Sequence, residues 1–533
     1  MWNLLFTPIL LLSSINLASS TKVTLPNWNF KYDSQGNVLD AHDGKLYYFE
    51  GKYYFYGTAY NCGFRWRTAN YTSPFCGFKA YSSTDLNTWS DEGYLFDAST
   101  HEWQSRCAVD GACFRPKVLQ NPRTKEYVLW INTGASRYGY AVFTSDKPAG
   151  PFVEKNSPVM ARERGGGDFG NGDFGIVIGP DGKGYIAYDN APAIPKHSIF
   201  QNPNLTYGIV QELSEDYTDV TDNYVITDLA NIEAWDMIYR DGWWYLIFGH
   251  ICGYCTGTDT SYIKSRDPMG LWLAKDRVYF TNTSCGGQHN MVAQLPSGNS
   301  NSSDPYVWLY GSDIWTADVN EGKAGSHWEP LTFLPDGSIS PLDCTAPEYV
   351  IDVPVTESQV IDVVANATVS SAPGNYTWEC GFGIHDRSIL YQFFQAPKSG
   401  NVTEIGVNIA QQSNNAPVTI SLVHVYNISE LFSPTGGVEP LWSKTYPVDT
   451  IGWSFPMVKG APNVAVEEGE WYALELAATA VSIPYCYLQR ETDYDTSNIF
   501  VPPKSFLAEI RLGKYPLYPL MDKELRYYVQ IAD

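Results

Sequence analysis

Five polar residues stand ahead of five aromatic runs: Asp43, Arg115, Asp173, Glu233 and Gln288 precede runs beginning at Tyr53, Tyr127, Tyr185, Trp244 and Tyr306 by 10, 12, 12, 11 and 18 residues. Three are carboxylates. Two carboxyl groups on opposite sides of one bond can do acid–base work, one donating a proton while the other activates water. Taken singly, each residue has an ordinary explanation. Glu233 could be a solvated surface acid, "HDGK" and "NGD" could be turns around Asp43 and Asp173, and Gln288 could cap a strand. The shared register sets the group apart.

That register needs elements that repeat. "YYFYG", "YVLWI", "YIAYD", "WYLIFG" and "YVWLYG" begin 74, 58, 59 and 62 residues apart, each after a turn such as "FEGK", "GPDGKG" or "YRDGW". Aromatic and β-branched runs bounded by Gly, Pro, Asn and Asp read as buried hairpin strands. "SSTDLNTW", "SDKPAGPF" and "SRDPMGLW" read as turns leading to outer strands. Five β-units of about sixty residues predict a five-bladed β-propeller, in which ring closure removes free sheet edges. A β-sandwich of irregular hairpins is the alternative. In a propeller the first strand of each blade lines a central channel, so the five polar residues would converge there.

The 533 residues carry 35 basic and 58 acidic side chains, a net charge of −23. No basic patch suits nucleic acid. "MWNLLFTPILLLSSINLASS" reads as a cleaved signal peptide over residues 1–20, too short to span a bilayer comfortably, and no later stretch reaches membrane-spanning length. Asn-x-Ser/Thr sequons at Asn70, Asn204, Asn282, Asn301, Asn366, Asn375, Asn401 and Asn427 fit a secreted, extracellular glycoprotein. Ten cysteines suit disulfides in an oxidising compartment. Cys62/Cys76 and Cys107/Cys113 are close enough to close local loops, and Cys380/Cys486 are expected to staple the C-terminal region. Cys252 and Cys255 form a lone C-x-x-C, read as a disulfide rather than zinc because no second pair accompanies it. His42 and His289 read as loop or core histidines, and no metal site is assigned. The glycine-rich "ERGGGDFGNG" lacks the following helix and Lys-Ser/Thr of a phosphate loop.

With these segments in view, the chain resembles glycoside hydrolase family 43, a five-bladed propeller family of inverting enzymes. "DFGIVIGPDGKGYIAY" and "IEAWDMIYRDGWWYLIFGH" are similar to its second-acid and general-acid segments, and the likeness spans about residues 28–340. "CFRPKV", "RYGYA", "AYDNAP", "IEAWD" and "GGQHN" are similar to the exo-β-1,3-galactanase-like branch. The resemblance implies Glu233 as general acid, Asp173 as the group tuning it, Gln288 as the water-positioning group, and Arg115, Tyr138, Asp189 and Asn190 as sugar contacts. Trp235 and Tyr254 are expected to stack on sugar faces. The branch commonly has glutamates where Thr58 and Phe114 stand here. Asp43 occupies the position of the wider family's base, so the base is Asp43 or Gln288. The expected substrate is a plant-type polysaccharide or its oligosaccharides, with a β-xylosidase or α-L-arabinofuranosidase as the alternative within the family and a catalytically silent carbohydrate-binding propeller outside it. No cofactor is required; a structural calcium in the channel is compatible with the reading. A monomer without nucleic-acid or membrane partners is expected.

The propeller is assigned to 21–340 and a linker to 341–375, rich in Pro, Ser and Val. Alternating segments such as "VTISLVHVY" and "EWYALELAA" then predict a jelly-roll-like β-sandwich over 376–533, an accessory domain for packing or glycan binding.

Overall fold

The computed structural model describes residues 20–64, 73–108, 113–133, 139–161, 172–192, 206–299, 302, 304–318, 320–354, 362–382, 389–412, 416–426, 438–478, 485–494, 502–511 and 514–533. The architecture is all-β, and five antiparallel sheets follow one another along the chain. After β1 (Ser20–Pro26), sheet I comprises β2 (His42–Phe49), β3 (Lys52–Thr58), β4 (Phe78–Ser83) and β5 (Ser90–Tyr94). A short helix, α1 (His101–Cys107), leads to sheet II: β6 (Phe114–Gln120), β7 (Tyr127–Asn132), β8 (Tyr140–Ser145) and β9 (Val153–Asn156). Sheet III holds β10 (Phe174–Ile178), β11 (Gly184–Pro192), β12 (Thr206–Leu213) and β13 (Val220–Ala230). Sheet IV holds β14 (Ile232–Arg240), β15 (Trp243–His250), β16 (Thr260–Ser265) and β17 (Val278–Thr281). Sheet V has three strands, β18 (Gln288–Pro296), β19 (Tyr306–Ile314) and β20 (Gly325–Pro330).

Each aromatic run is the second strand of its sheet, as its composition predicts. Its rings fill the spaces between sheets. Tyr56 and Phe78 of sheet I share a core with Val118 and Phe143 of sheet II. Trp130 of sheet II meets Ile186 of sheet III, and Val210 of sheet III meets Trp235 and Phe248 of sheet IV. Tyr245 of sheet IV packs with Trp308 of sheet V, and Leu309 and Trp328 of sheet V pack with Phe55 of sheet I and with Trp89, just ahead of β5. Each ring buried this way contributes about 2–3 kcal/mol of transfer free energy. The first strands touch in the order β2, β6, β10, β14, β18 and back to β2. Five sheets packed in this order are consistent with the expected propeller.

Turn chemistry fixes the hairpins at the centre of the sheets. Glu50-Gly51 and Asp241-Gly242 both adopt positive φ (51° and 84°; 50° and 76°). Two successive left-handed residues form the tight turn whose twist matches paired strands, and glycine tolerates it without a Cβ clash.

The segment read as a linker, 341–375, is not free-standing. Glu348–Pro354, here β21, pairs antiparallel with β1 from Ser20↔Pro354 to Pro26↔Glu348, and Val23, Leu25, Ile351 and Val353 join the core between sheets V and I. Period-two alternation in "YVIDV" carries that strand, but Pro and Ser on either side mask it. Beyond it lie an eight-stranded and a six-stranded sheet, whose Leu390, Val407, Ile420, Leu474 and Val529 share one core. This C-terminal unit grips sheet I: Ser454 Oγ donates to Asp40 Oδ1 at 2.8 Å, and Asn61 Oδ1 accepts from the backbone N–H of Trp453 at 2.8 Å. Residues 1–19, most of the stretch read as a signal peptide, fall outside the described residues, which include no helix long and apolar enough to cross a membrane.

All ten cysteines are paired: Cys62–Cys76, Cys107–Cys113, Cys252–Cys255, Cys285–Cys344 and Cys380–Cys486.

Candidate active site

Four of the five first strands carry one extra residue at the end where the polar residues sit. Pairing slips between His42 and Lys45, Phe114 and Lys117, Glu233 and Asp236, and His289 and Met291. Such a bulge re-aims the side chains beside it. The cost is a left-handed backbone at Asp43 (φ 47°), Arg115 (φ 60°) and Ala234 (φ 55°). Strain of this kind persists only where the surroundings over-determine it.

The bulges bring the five residues into one hydrogen-bonded cluster. Arg115 is its hub. Its Nη2 donates to Asp173 Oδ2 at 2.8 Å and to Gln288 Oε1 at 3.4 Å, while its backbone N–H donates to Asp43 Oδ1 at 2.9 Å. Asp173 Oδ2 also accepts from the backbone N–H of Ala234 at 3.0 Å, so it holds the bulge that presents Glu233. Glu233 Oε1 accepts from Gln288 Nε2 at 2.6 Å and from the N–H groups of Cys252 and Gly253 at 2.7 and 3.1 Å. Every hydrogen bond to Glu233 from the described residues lands on Oε1, which leaves Oε2 to carry a proton.

Burial raises the pKa of Glu233, and the charge of Asp173 adds to the effect; the two N–H groups and Arg115 oppose it. The resemblance implied Asp173 as the tuning group, and its charge is the second contribution after burial. Asp173 is itself neutralised by Arg115, so burial leads. Asp43 is 3% exposed, and burial pushes it up to about 6, with Arg115 pulling down and Asp313 pushing up. Its Oδ1 also accepts from Thr58 Oγ1 at 2.8 Å, its Oδ2 from Tyr60 Oη at 3.3 Å, and its N–H donates to Asp313 Oδ2 at 2.9 Å. Thr58 thus serves the carboxylate opposite it. Phe114 packs beside Phe64 and Tyr254.

The remaining predicted residues divide. Tyr254 lies at the cluster, its hydroxyl 2.9 Å from that of Tyr60 and its ring edge-on to Trp315. Trp235 does not stack on an open face: it is 0% exposed, in the core between sheets III and IV against Phe248 and the backbone of Gly208. The bulge after Glu233 turns it outward, so the adjacency of Glu233 and Trp235 in sequence misleads. Asp189 and Asn190 fall in β11, but their side chains, like all of Tyr138, lie outside the described residues.

Beneath the cluster is a second layer that the sequence reading missed. Lys45 Nζ lies 2.7 Å from both carboxylate oxygens of Asp236, and Lys117 Nζ donates to the carbonyl of Asn290 at 2.7 Å. Burial raises Asp236, but Lys45 and Lys117 outweigh it and hold the group below the usual carboxylate range. Burial brings Lys117 down to about 7 and His289 to about 3. The signal was present: Lys45 and Lys117 each follow a site residue by two positions. Among the described residues this second layer sets Lys45 and Lys117 around a single carboxylate, Asp236, already paired with Lys45, so the layer is not built as a calcium site, which needs six to eight oxygen ligands. A separate convergence of Cys285, His327, Glu329 and Cys344 has metal-like spacing, but its sulfurs form a disulfide.

Comparisons with known proteins follow from this geometry. Curated proteins gave no match. Among solved structures, a putative exo-β-1,3-galactanase from Bifidobacterium bifidum aligns at 22% identity and TM-score 0.47, covering 60% of this chain and 96% of that one. An exo-β-1,3-galactanase from Clostridium thermocellum aligns at 20% identity and TM-score 0.45, covering 71% and 73%. One from Phanerochaete chrysosporium, with galactose, aligns at 17% identity and TM-score 0.45, covering 88% and 100%. The model of "Glycosyl hydrolases family 43" matches residues 63–302, a span that includes Arg115, Asp173, Glu233 and Gln288 and begins after Asp43. Over that span the chain is similar to the glycosyl hydrolases of family 43.

Proposed function

We propose that this glycosidase is secreted and removes sugar from the ends of β-1,3-galactan-type plant polysaccharide with inversion, using Glu233 as general acid and Asp43 as base. The ring of five sheets is then a five-bladed propeller, and the C-terminal pair of sheets a β-sandwich packed on it as part of one monomer. The observation that carries the reading is the asymmetry of Glu233: three donors hold Oε1, and burial raises the pKa of the group. Inverting hydrolysis needs such an acid on one side of the sugar and a base holding water on the other. Asp43 is the better base because an amide such as Gln288 cannot accept the proton. Gln288 braces the acid, Asp173 and Arg115 fix the strand that presents it, and the ring of Tyr254 contributes an apolar wall. Secretion is supported by the sequons: Asn282, Asn366, Asn375 and Asn401 are all exposed.

Thr58 and Phe114 favour keeping a second reading in the test, a β-xylosidase or α-L-arabinofuranosidase. Sugar release from β-1,3-galactan, xylan and arabinan separates them, with Glu233→Gln run in parallel. Galactose from galactan, reduced by about 10²–10⁴-fold in the variant, is the expected result. Full activity in Glu233→Gln overturns the acid role; xylose or arabinose as the main product overturns the galactan assignment.

A further inference from the structure

One short loop reaches both carboxyl groups of the proposed reaction, Glu233 directly and Asp43 through Tyr60. Cys252-Gly253-Tyr254-Cys255 is closed by its own disulfide. At one side its first two N–H groups point at Glu233 Oε1, at 2.7 and 3.1 Å. At the other, Tyr254 Oη meets Tyr60 Oη at 2.9 Å, and Tyr60 Oη reaches Asp43 Oδ2 at 3.3 Å. With Asp43 ionised, the order is fixed: Tyr60 donates to Asp43, and Tyr254 donates to Tyr60. The Tyr254 ring also abuts Trp315, whose Nε1 donates to Gln288 Oε1 at 3.2 Å.

Such a loop is improbable without a cross-link. Gly253 and Tyr254 are both left-handed (φ 42° and 54°). A tyrosine in that region costs about 1–2 kcal/mol. Two consecutive N–H groups also converge on one oxygen of Glu233, and the cross-link closes the loop that presents them.

We propose that the Cys252–Cys255 ring is a positioning device that sets both carboxyl groups, its amides fixing which oxygen of Glu233 faces the substrate and its tyrosine tensioning the Tyr60 bond to Asp43. This rests on the acid and base roles proposed above. The ring shares Glu233 with Asp173 and Arg115, and Asp43 with Arg115, Asp313 and His42, all of which the variants below leave in place.

The test uses the full chain labelled with carboxyl-13C glutamate. The Glu233 resonance is assigned by its loss in Glu233→Gln and titrated in wild type and in the Cys252→Ser/Cys255→Ser pair. Losing two N–H donors removes stabilisation of the carboxylate, so the Glu233 midpoint is expected to rise by about one unit. Carboxyl-13C aspartate, assigned by Asp43→Asn, reports the other arm in Tyr254→Phe, which keeps the ring and the disulfide. There the Asp43 midpoint is expected to rise by about half a unit. Unmoved midpoints in folded protein overturn the inference. A serine pair that fails to fold leaves Tyr254→Phe to decide it. The outcome is separable from the functional reading, whose acid role falls if Glu233→Gln retains wild-type hydrolysis.

Discussion

Gln288 donates its side-chain N–H to Oε1 of Glu233 at 2.6 Å, while its own carbonyl oxygen accepts from Trp315 and Arg115. The indole and guanidinium are donors only, so they fix which end of the amide faces the acid.

Removing that brace should release Glu233. Gln288→Ala is expected to lower kcat about 10–100-fold with a smaller change in KM, because one of three bonds to the acid is lost and the apparent pKa rises. Steady-state kinetics across pH 4–8 check this. Gln288→Glu should be worse, since it sets a second carboxylate against the first.

Asp43, pushed up to about 6, gives two pH signatures of opposite sense. In the proposed base role it must be ionised, so activity should climb as pH rises through about 6 and be lost in Asp43→Asn. Stability runs the other way. A carboxyl raised above its unfolded value binds its proton more tightly in the fold, so its stabilisation is full below about 4 and lost as pH rises through about 6. Denaturant unfolding at pH 4 and 7 should show Asp43→Asn gaining about 2–3 kcal/mol on wild type over that interval.

Lys45 and Asp236 form a buried pair 2.7 Å apart. Lys45→Ala leaves Asp236 uncompensated beside Lys117 and should destabilise by about 3–5 kcal/mol; replacing both, Lys45→Met with Asp236→Leu, should recover part of that loss. Denaturation midpoints of the two variants decide it.

Trp235 separates a core ring from a sugar platform. Trp235→Phe should leave KM for the proposed substrate within about twofold, whereas Trp235→Ala should cost about 3–5 kcal/mol of stability through the cavity it opens. A KM that rises tenfold in the phenylalanine variant would place the ring at the substrate instead.

Local patterning made much of the molecule legible. The aromatic second strands, the Asp-Gly turn between β14 and β15, and the polar residues leading β2, β6, β10, β14 and β18 all follow from spacing and turn chemistry. The strand hidden at Glu348–Pro354 was not legible, because its meaning lies in β1, more than three hundred residues earlier. The bulges were equally silent. One extra residue per strand reads as continuous β in sequence, yet it turns Trp235 into the core and Glu233 toward the cluster.

By itself, then, the sequence determined the repeat, the strand faces and the set of groups capable of acid–base work, because these depend on neighbours a few residues apart. Only the tertiary structure decided what each group does to the next. That Arg115 joins Asp173 and Asp43, that Lys45 crosses to Asp236, and that a disulfide loop holds Oε1 of Glu233 are contacts between sheets. Their strength comes from exclusion of water at a centre that exists only once the five sheets have packed in a ring.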